Sequence, residues 1–383
     1  MRAAEVAVVG AGIVGTACAR ELAVAGVDVC LLDRGPVAGG TTGLGEGNVL
    51  CSDKDAGPEL ELTRLGLAVY DELDARLGEE ARVRRKGALI VHPDAETWAA
   101  EPERVARLRA AGVEARLLEA EEVQEREPWL TGPLHGASWF EADLQVDPRA
   151  IARALAREAE AAGARVVSGC AVEAIEAPGG RVTGVRTAEG MLSAAAVVLA
   201  AGPWSASLAA GAGLPLPLEP RKGQLVRLAP PAGEPRLLRH KVVDGGYLGS
   251  VASADAALQV TTVLETDWEG RVLVGSSRER RGFDLDVDDG VSAALLERAA
   301  RLAPALCELE VDAAWAGLRP WLPDHLPAIG PSRTVDGLWV ATGHEGAGVA
   351  LGPVTGRVLA RAYCGEPPAL DLAPFDPDRF APA

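Results

Sequence analysis

Residues 5–15 read Glu-Val-Ala-Val-Val-Gly-Ala-Gly-Ile-Val-Gly, an apolar run followed at once by the pattern G-x-G-x-x-G. A short apolar run of this kind suits a strand that is buried on both faces. Residues 16–25 then predict a helix with Gly26 as its C′ cap, and residues 27–32 predict a second strand that ends at Asp33. Together they predict a strand–helix–strand unit with a glycine turn before its helix.

Each glycine of this turn has a physical role. Gly10 permits the tight turn, Gly12 lets the backbone approach a pyrophosphate, and Gly15 lets the helix pack closely on the strand. The helix N-terminus offers free N–H groups and a positive dipole end to phosphates. Asp33 lies 18 residues beyond Gly15, where a carboxylate can accept hydrogen bonds from an adenosine ribose. The unit predicts dinucleotide binding rather than an ordinary glycine-rich turn, and it fits FAD and NAD equally.

The next segment favours FAD. Residues 39–48 read Gly-Gly-Thr-Thr-Gly-Leu-Gly-Glu-Gly-Asn, a loop rich in glycine and hydroxyl groups that suits close backbone approach to a ligand. Nicotinamide-dependent folds usually continue from the acidic residue into another helix and strand. We therefore predict that this loop covers the pyrophosphate of FAD and reaches the flavin, the alternative being a flexible surface loop.

Composition excludes several classes of protein. The chain has 383 residues, which predicts two domains, and its net charge of −17 argues against binding nucleic acid or anionic membranes. We expect no signal peptide, because cleavage would destroy the glycine motif, and no apolar run reaches the roughly 18 residues of a membrane span. The six cysteines are scattered without a CxxC pair, which predicts no metal site, no disulfide framework and a cytoplasmic location.

Five motifs follow one another along the chain: residues 8–15, the Gly-Thr-Thr loop, Ala-Ala-Gly-Pro-Trp-Ser at 200–205, Trp-Ala-Gly-Leu-Arg-Pro at 315–320 and Gly-His-Glu-Gly-Ala-Gly-Val at 343–349. In this order they resemble the D-amino-acid oxidase superfamily of FAD-dependent oxidoreductases, which includes glycine oxidase, sarcosine oxidase and D-amino-acid dehydrogenases. The resemblance covers nearly the whole chain.

The resemblance implies an α/β fold. We expect a Rossmann-like FAD-binding domain from residues 1–50, 147–217 and 318–383. Residues 51–146 and 218–317 would form a substrate-binding domain with an antiparallel sheet, because residues 218–290 are rich in candidate strands.

A subgroup is more similar still. Residues 42–50, 219–224, 252–259 and 344–348 look like the FAD-containing β subunits of D-hydroxyproline dehydrogenase, opine oxidase and hydrogen cyanide synthase. This resemblance implies partner subunits that carry an iron–sulfur cluster or a second flavin.

The resemblance also implies which residues hold FAD. The adenosine and pyrophosphate would lie against the glycine turn and the loop, the flavin edge against residues 46–48, and the positive end of the C-terminal helix would face the flavin N1 and C2=O. The predicted cofactor-binding residues are Gly10, Gly12, Ile13, Val14, Gly15, Asp33, Arg34, Thr41, Thr42, Glu46, Gly47, Asn48, Val172, Ala201, Gly202, Trp204, Gly346, Ala347, Gly348 and Val349.

The substrate implied is a small amino acid or a secondary amine that carries a carboxylate. Arg319 matches the arginine that pairs with this carboxylate, and an arginine fork is its natural bidentate partner. Tyr247 matches an aromatic hydroxyl that caps the carboxylate, and His344 should lie close to the flavin. The alternatives are a structural salt bridge for Arg319, a core position for Tyr247 and a structural hydrogen bond for His344. Hydride would pass from the substrate's α-carbon to flavin N5, giving an imine that water hydrolyses, with no general base.

Two departures from sarcosine oxidase refine the expectation. Sarcosine oxidase binds its flavin covalently through a cysteine just before the segment that reads Leu-Arg-Pro here. This chain has Gly317 at that point and its nearest cysteine is Cys307, so noncovalent FAD is expected. The lysine that activates oxygen in sarcosine oxidase has no counterpart after Lys241, which favours a dehydrogenase. The alternatives are a self-sufficient oxidase that makes hydrogen peroxide, a non-catalytic FAD-binding assembly subunit and a nicotinamide-dependent dehydrogenase.

Overall fold

The computed structural model describes residues 2–229, 237–246 and 258–381. Its helices are α1 (Ile13–Val24), α2 (Thr41–Leu44), α3 (Pro58–Leu77), α4 (Ala95–Ala110), α5 (Ala120–Arg126), α6 (Pro148–Ala161), α7 (Ser205–Ala212), α8 (Asp289–Leu302) and α9 (Gly348–Tyr363). Its strands are β1 (Ala4–Val9), β2 (Val29–Asp33), β3 (Asn48–Val49), β4 (Val83–Arg84), β5 (Ala88–His92), β6 (Arg116–Glu119), β7 (Gly136–Phe140), β8 (Leu144–Val146), β9 (Arg165–Ser168), β10 (Val172–Glu176), β11 (Gly184–Thr187), β12 (Gly190–Leu199), β13 (Glu219–Leu228), β14 (Lys241–Asp244), β15 (Leu258–Thr266), β16 (Val272–Glu279), β17 (Val311–Trp321), β18 (Ala328–Pro331) and β19 (Leu338–Thr342).

The first sheet carries the glycine turn. It has the order β10-β11-β12-β1-β2-β9, and β19 pairs with both β12 and β18. The central strands β12, β1, β2 and β9 run parallel. Because β1 is buried along most of its length and β2 likewise, the apolar run at residues 5–9 forms the strand that the sequence predicts.

The second sheet supplies one wall of the cavity that is described below. Its order is β17-β13-β16-β15-β14-β5-β7-β6, with antiparallel pairs except for β14 against β5. β17 pairs with β13 from Val311 through Trp321. A short third sheet joins β3, β8 and β4. The fold class is therefore the predicted one, α/β with a second, mainly antiparallel sheet.

The division into domains stays a prediction. The first sheet takes its strands from residues 4–33, 165–199 and 328–342, and the second from residues 88–140 and 219–321. The predicted boundary between residues 317 and 318 falls inside β17, which stays paired with β13 to its end. A break between these two residues would split a continuous strand.

Two local details differ from the sequence expectation. Helix α1 begins at Ile13, three residues earlier than predicted, because Gly12 is its N-cap residue and the hydroxyl of Thr42 accepts the Ile13 N–H at 3.0 Å. The glycine-rich segment is not loop throughout, since Thr41–Leu44 form one helical turn. Asp147 caps α6, because its carboxylate accepts the N–H groups of Arg149 and Ala150 at the start of this helix.

Candidate active site

A cavity of about 520 Å³ joins the two large sheets. This volume lies within the range of about 300–1,000 Å³ that is usual for small-molecule sites. Its walls run from the glycine turn of the first sheet to strands β13, β15, β16 and β17 of the second sheet.

Most predicted site residues line this cavity. They are Gly10, Gly12, Ile13, Val14, Asp33, Arg34, Thr41, Thr42, Glu46, Asn48, Val172, Ala201, Gly202, Trp204, Arg319, His344, Gly346, Ala347, Gly348 and Val349. Tyr247 lies outside the described residues.

Gly15 and Gly47 are not among the residues that line the cavity. A Cβ on Gly15 would lie 1.8 Å from the carbonyl oxygen of Gly10, which fits the expected close packing of helix on turn. A Cβ on Gly47 would lie 1.7 Å from the carbonyl oxygen of Val146. Gly47 therefore allows the loop to pass against β8, and its contact with the flavin stays a prediction.

The glycine turn is held by the carboxylate of Asp33. Gly10 has φ +108°, and a Cβ there would lie 2.4 Å from the carbonyl oxygen of Ala200. Asp33 accepts the Ala11 N–H at 2.6 Å and the Gly35 N–H at 2.7 Å. A carboxylate has about four acceptor positions, so Asp33 keeps capacity for a ribose while it fixes the backbone that faces the phosphates.

The two threonines differ in what they can offer a phosphate. Thr42 accepts the Ile13 N–H, so its own hydroxyl proton stays available. Thr41 donates its proton to the carbonyl oxygen of Leu318 at 2.7 Å. The predicted phosphate contact through a hydroxyl donor therefore suits Thr42, whereas Thr41 ties α2 to β17.

A flat, positively charged wall stands beside the glycine turn. The guanidinium carbon of Arg34 lies 3.7 Å from the ring centroid of Trp204, which is a cation–π contact. Trp204 also stacks on Phe283, with the ring centroids 5.7 Å apart. Val172 lines the cavity with Arg34 and Trp204. This wall can accept an adenine ring and a negatively charged phosphate.

A second helix N-terminus faces the cavity. Residues 346–349 line it where the 16-residue helix α9 begins. Free N–H groups and the positive dipole end there stabilise negative charge. The cavity thus has two helix N-termini, an aromatic wall, and a glycine turn that lies too close to other backbone to carry side chains. These features fit an extended dinucleotide such as FAD.

Arg319 and His344 differ in charge. Arg319 is half-buried on the wall of the cavity, and its Nη1 donates to the carbonyl oxygen of Ser277 at 3.0 Å. His344 is buried with Nε2 3.0 Å from the hydroxyl of Thr355, and burial lowers the pKa of His344 to about 3. At neutral pH the cavity thus has a cationic guanidinium and a neutral imidazole.

The structure adds ion pairs that the sequence analysis did not identify. All four lysines of the chain are buried, although lysine is normally exposed. Lys241 lies 3.0 Å from the cavity residue Glu46, and Lys54 lies 3.0 Å from Asp53, both of which line the cavity. For Lys241 the available signal was a lysine within an apolar strand, since residues 241–243 read Lys-Val-Val.

Glu345 is a further cavity residue that pairs with basic side chains. It accepts a hydrogen bond from Arg221 at 2.9 Å, and its other oxygen lies 3.0 Å from His325 Nδ1. Burial acts to raise the pKa of Glu345, but the hydrogen bond from His325 and the nearby cations bring it below its ordinary value. Glu345 therefore carries its negative charge at neutral pH.

The comparisons define the class of protein. The model of the DAO family, FAD dependent oxidoreductase, matches residues 5–362, so the chain belongs to this family. The predictions of the superfamily, of an oxidoreductase and of FAD as cofactor are thereby confirmed.

The chain is similar to individual members of this family over most of its length. The chain is 32% identical over 379 residues to glycine oxidase of Pseudomonas aeruginosa, covering 97% of this chain and 98% of the relative. It is 33% identical over 316 residues to hydrogen cyanide synthase subunit HcnC of the same species, covering 82% and 72% of the two chains. The crystal structure of glycine oxidase from Geobacillus kaustophilus superposes over 100% of both chains with a TM-score of 0.89 and 30% identity.

The described residues hold neither a candidate metal site nor a candidate membrane-spanning helix. No group of three or more His, Cys, Asp or Glu side chains there is arranged to hold a metal ion. Within the same ranges, no helix has both the length and the apolar character needed to cross a bilayer.

Proposed function

We propose that this protein uses noncovalently bound FAD to oxidise a small amino acid, or a secondary amine carrying a carboxylate, at the carbon next to nitrogen. The observation that carries the proposal is the continuity of one cavity from the glycine turn to Arg319. The similarity to glycine oxidase over nearly the full length of both chains supports the same class of substrate.

The cofactor would be held by residues with separate tasks. Asp33 would accept hydrogen bonds from the ribose, and the N–H groups that begin α1 would bind the pyrophosphate. Arg34 and Trp204 would enclose the adenosine half, and the start of α9 would face the flavin ring at the atoms that become negative on reduction. When bound, FAD supplies the acceptor for two electrons and a proton as hydride.

Arg319 would bind the carboxylate of the substrate. Its Nη1 already donates to the carbonyl oxygen of Ser277, so the orientation of the guanidinium is fixed before a ligand arrives. His344, neutral and held by Thr355, would act as a hydrogen-bonding group and not as an acid at neutral pH. Tyr247 remains the candidate for a hydroxyl cap on the same carboxylate. Catalysis would then depend on position and electrostatics.

FAD would be released by denaturation because no cysteine lines the cavity among the described residues. The six cysteines are free, four of them buried, which supports the proposal of a reducing, cytoplasmic location. Acid precipitation of the yellow protein should leave the colour in the supernatant. A yellow pellet would show covalent attachment.

The electron acceptor separates two versions of the function. Similarity to a protein named as a subunit of hydrogen cyanide synthase supports a dehydrogenase that works with partner subunits. In this version of the function the partners would carry an iron–sulfur cluster or a second flavin. Similarity to glycine oxidase supports a self-sufficient oxidase. The purified single chain should bleach with substrate under anaerobic conditions in both cases. Stoichiometric peroxide formation on admission of air identifies the oxidase, and its absence favours the partnered dehydrogenase.

Anaerobic flavin bleaching tests the proposal itself. The FAD-loaded protein is mixed with glycine, sarcosine, D-alanine, D-proline and D-hydroxyproline, and the loss of oxidised flavin absorbance is followed. At least one carboxylated amine should bleach the flavin, while the matching amine without a carboxylate should do so far less efficiently. A protein that binds FAD but is reduced by no member of this panel would be the assembly subunit instead.

A further inference from the structure

Four charged side chains form a continuous buried row of ion pairs that ends in the cavity. Lys86 Nζ lies 3.2 Å from Glu265 Oε2, and the same oxygen lies 3.6 Å from Lys241 Nζ. Lys241 Nζ in turn lies 3.0 Å from Glu46 Oε1, and the amide of Asn48 donates to Glu46 Oε2 at 3.0 Å. The side chain of Glu46 is 13% exposed, against 1–4% for the other three charged groups, and it lines the cavity.

The second sheet determines where Glu46, the cavity end of this row of ion pairs, lies. Gly275 pairs with Val263, and Val263 pairs with Val243. Lys241 precedes Val243 by two residues and Glu265 follows Val263 by two, so both share the face of the sheet that carries the cavity floor. A Cβ on Gly275 would lie 3.4 Å from Glu46 Oε1, which places this carboxylate over Gly275.

Arg319 stands over a nearby point of the same face. A Cβ on Gly223 would lie 2.1 Å from Arg319 Nη1, and Gly223 and Leu225 both line the cavity from β13. A Cβ on Gly275, on the neighbouring strand β16, would lie 2.6 Å from Leu225 Cδ2, so Leu225 lies beside Gly275. The path from Gly223 to Gly275 is two residues along β13 and one strand across to β16. The guanidinium of Arg319 and the carboxylate of Glu46 are therefore about 8 Å apart.

We propose that the Glu46–Lys241 ion pair receives the amino group of the substrate whose carboxylate Arg319 binds, and that the pair sets the protonation state of that amine. An α-amino acid with hydrogen bonds of about 2.9 Å at its two ends spans roughly this separation. The inference rests on the proposed function, because it assigns the second end of the same substrate.

The pairing with Lys241 has a chemical consequence. Hydride leaves the carbon of a neutral amine, whereas an amino acid in neutral water carries an ammonium group. A carboxylate alone would stabilise the ammonium form and hold back the reaction. Lys241 offsets that charge, so Glu46 can accept a hydrogen bond from the amine while the pair adds little net field.

Other charged groups face the pair or the cavity. Lys86, whose pKa burial lowers to about 8, and Glu265 lie behind Lys241, and Glu265 also accepts the N–H of Gly47. The remaining ionisable side chains of the described cavity wall are Asp33, Arg34, Asp53, Lys54, Glu173, Arg319, His344 and Glu345. Because these groups are present in every variant below, the effect of the pair is read as a difference between variants.

Removing either partner of the pair should shift the amine's titration in opposite directions. The variant Glu46→Gln removes a negative charge and lowers the pKa of the bound amine, whereas Lys241→Met removes a positive charge and raises it. The double variant should return towards wild type. A purely structural role of the pair would not give shifts of opposite sign.

The test uses a ligand that cannot react. α-Aminoisobutyrate has no hydrogen on its α-carbon, so it can bind to the FAD-loaded protein without being oxidised. Calorimetry in two buffers with different ionisation enthalpies measures the protons released on binding between pH 6 and 10. We expect the release midpoint to move by about one pH unit, a tenfold change in the protonation equilibrium, down in Glu46→Gln and up in Lys241→Met. Anaerobic flavin reduction by an oxidisable amino acid should show midpoint shifts of the same sign.

A surface ion pair provides the matched control. Glu72 and Arg357 pair at 2.6 Å with exposed fractions of 54% and 28%, so Glu72→Gln and Arg357→Met make the same charge changes away from the cavity. Neither should move the midpoint. If Lys241→Met does not retain FAD, Lys241→Gln replaces it.

Midpoint shifts that are absent or of equal sign in Glu46→Gln and Lys241→Met would overturn the inference, as would an equal loss of rate at every pH. The proposed function fails differently, because wild type would then be reduced by no carboxylated amine.

Discussion

The guanidinium of Arg319 on β17 lies against the backbone of Gly223 on β13, so close that a Cβ on Gly223 would be 2.1 Å from Nη1. The two strands are paired, with Gly223 opposite Gly317 and Arg221 opposite Arg319. A residue without a side chain at position 223 is therefore what allows this arginine to lie flat on the sheet. The contact is with the far end of a flexible side chain, which can move at low cost to the fold.

The variant Gly223→Ala should therefore impair substrate binding and leave the fold intact. The added methyl group displaces the guanidinium from the Ser277 carbonyl oxygen. We expect KM for the carboxylated amine to rise at least about tenfold, which is about 1.4 kcal/mol of lost binding. Stopped-flow flavin reduction and thermal unfolding measure the two effects separately.

Gly211→Ala is the matched control, because a Cβ on Gly211 in α7 would meet nothing within 4 Å. Its kinetics should match wild type. If Gly223→Ala binds substrate as well as the control does, Arg319 is not positioned by this contact.

Arg319 itself should discriminate between substrates with and without a carboxylate. Arg319→Lys keeps the charge but loses the fork, so it should be measurably impaired. Arg319→Ala should lose roughly 2–5 kcal/mol of transition-state binding for the carboxylated substrate and little for the amine that lacks a carboxylate. The ratio of kcat/KM for the two substrates is the measurement. If the ratio in Arg319→Ala equals that of wild type, another residue binds the carboxylate, and Tyr247 and Arg221 are the next candidates.

The sequence predicted the local fold around the glycine turn because its signals there are local. The turn from Gly10 to Gly15, the acid at residue 33 and the glycine-rich segment each determine their own conformation over a few residues. Even there the start of α1 was placed three residues late, since its first N–H is capped by Thr42, 29 residues away.

The substrate half could be predicted only in part, because it depends on pairing between distant strands. Thr41 bonds to Leu318 across 277 residues, and Lys241 lies beside Glu265 only because β14 pairs with β15 in the second sheet. A family motif supplied Arg319, but no local pattern identifies which charged residues of a strand will share a face with it.

Asp33 should control FAD affinity through two kinds of hydrogen bond. Asp33→Ala removes the acceptor for the Ala11 and Gly35 N–H groups as well as the proposed ribose contact. With a charge-assisted hydrogen bond worth about 1.5–3 kcal/mol, the Kd for FAD should rise at least about tenfold. Fluorescence titration of the apoprotein with FAD measures it.

Asp28→Asn is a suitable control, because Asp28 pairs with Arg2 at the surface, 3.1 Å away. It should bind FAD as wild type does. An unchanged Kd in Asp33→Ala would mean that the backbone turn alone holds the adenosine half.

His344 should make the folded protein sensitive to acid. Its pKa is about 3 in the folded chain because of burial, against an ordinary value of 6.5, so below pH 6.5 the unfolded chain binds a proton that the folded chain does not. The stability contribution of His344 is therefore constant above pH 6.5 and falls as the pH is lowered towards 3. At pH 5 the loss should approach about 2 kcal/mol, at 1.36 kcal/mol per pH unit.

His344→Gln isolates this contribution, because an amide can still reach Thr355 but does not titrate. The variant should be less stable than wild type at pH 7.5, where the packing of the imidazole is lost, and that deficit should shrink by about 2 kcal/mol at pH 5. Urea unfolding at the two pH values measures the difference. His135→Gln, at an exposed histidine, should follow the pH dependence of wild type. A deficit of His344→Gln that is the same at both pH values would show that the imidazole of His344 takes up its proton in the folded protein as readily as in the unfolded chain.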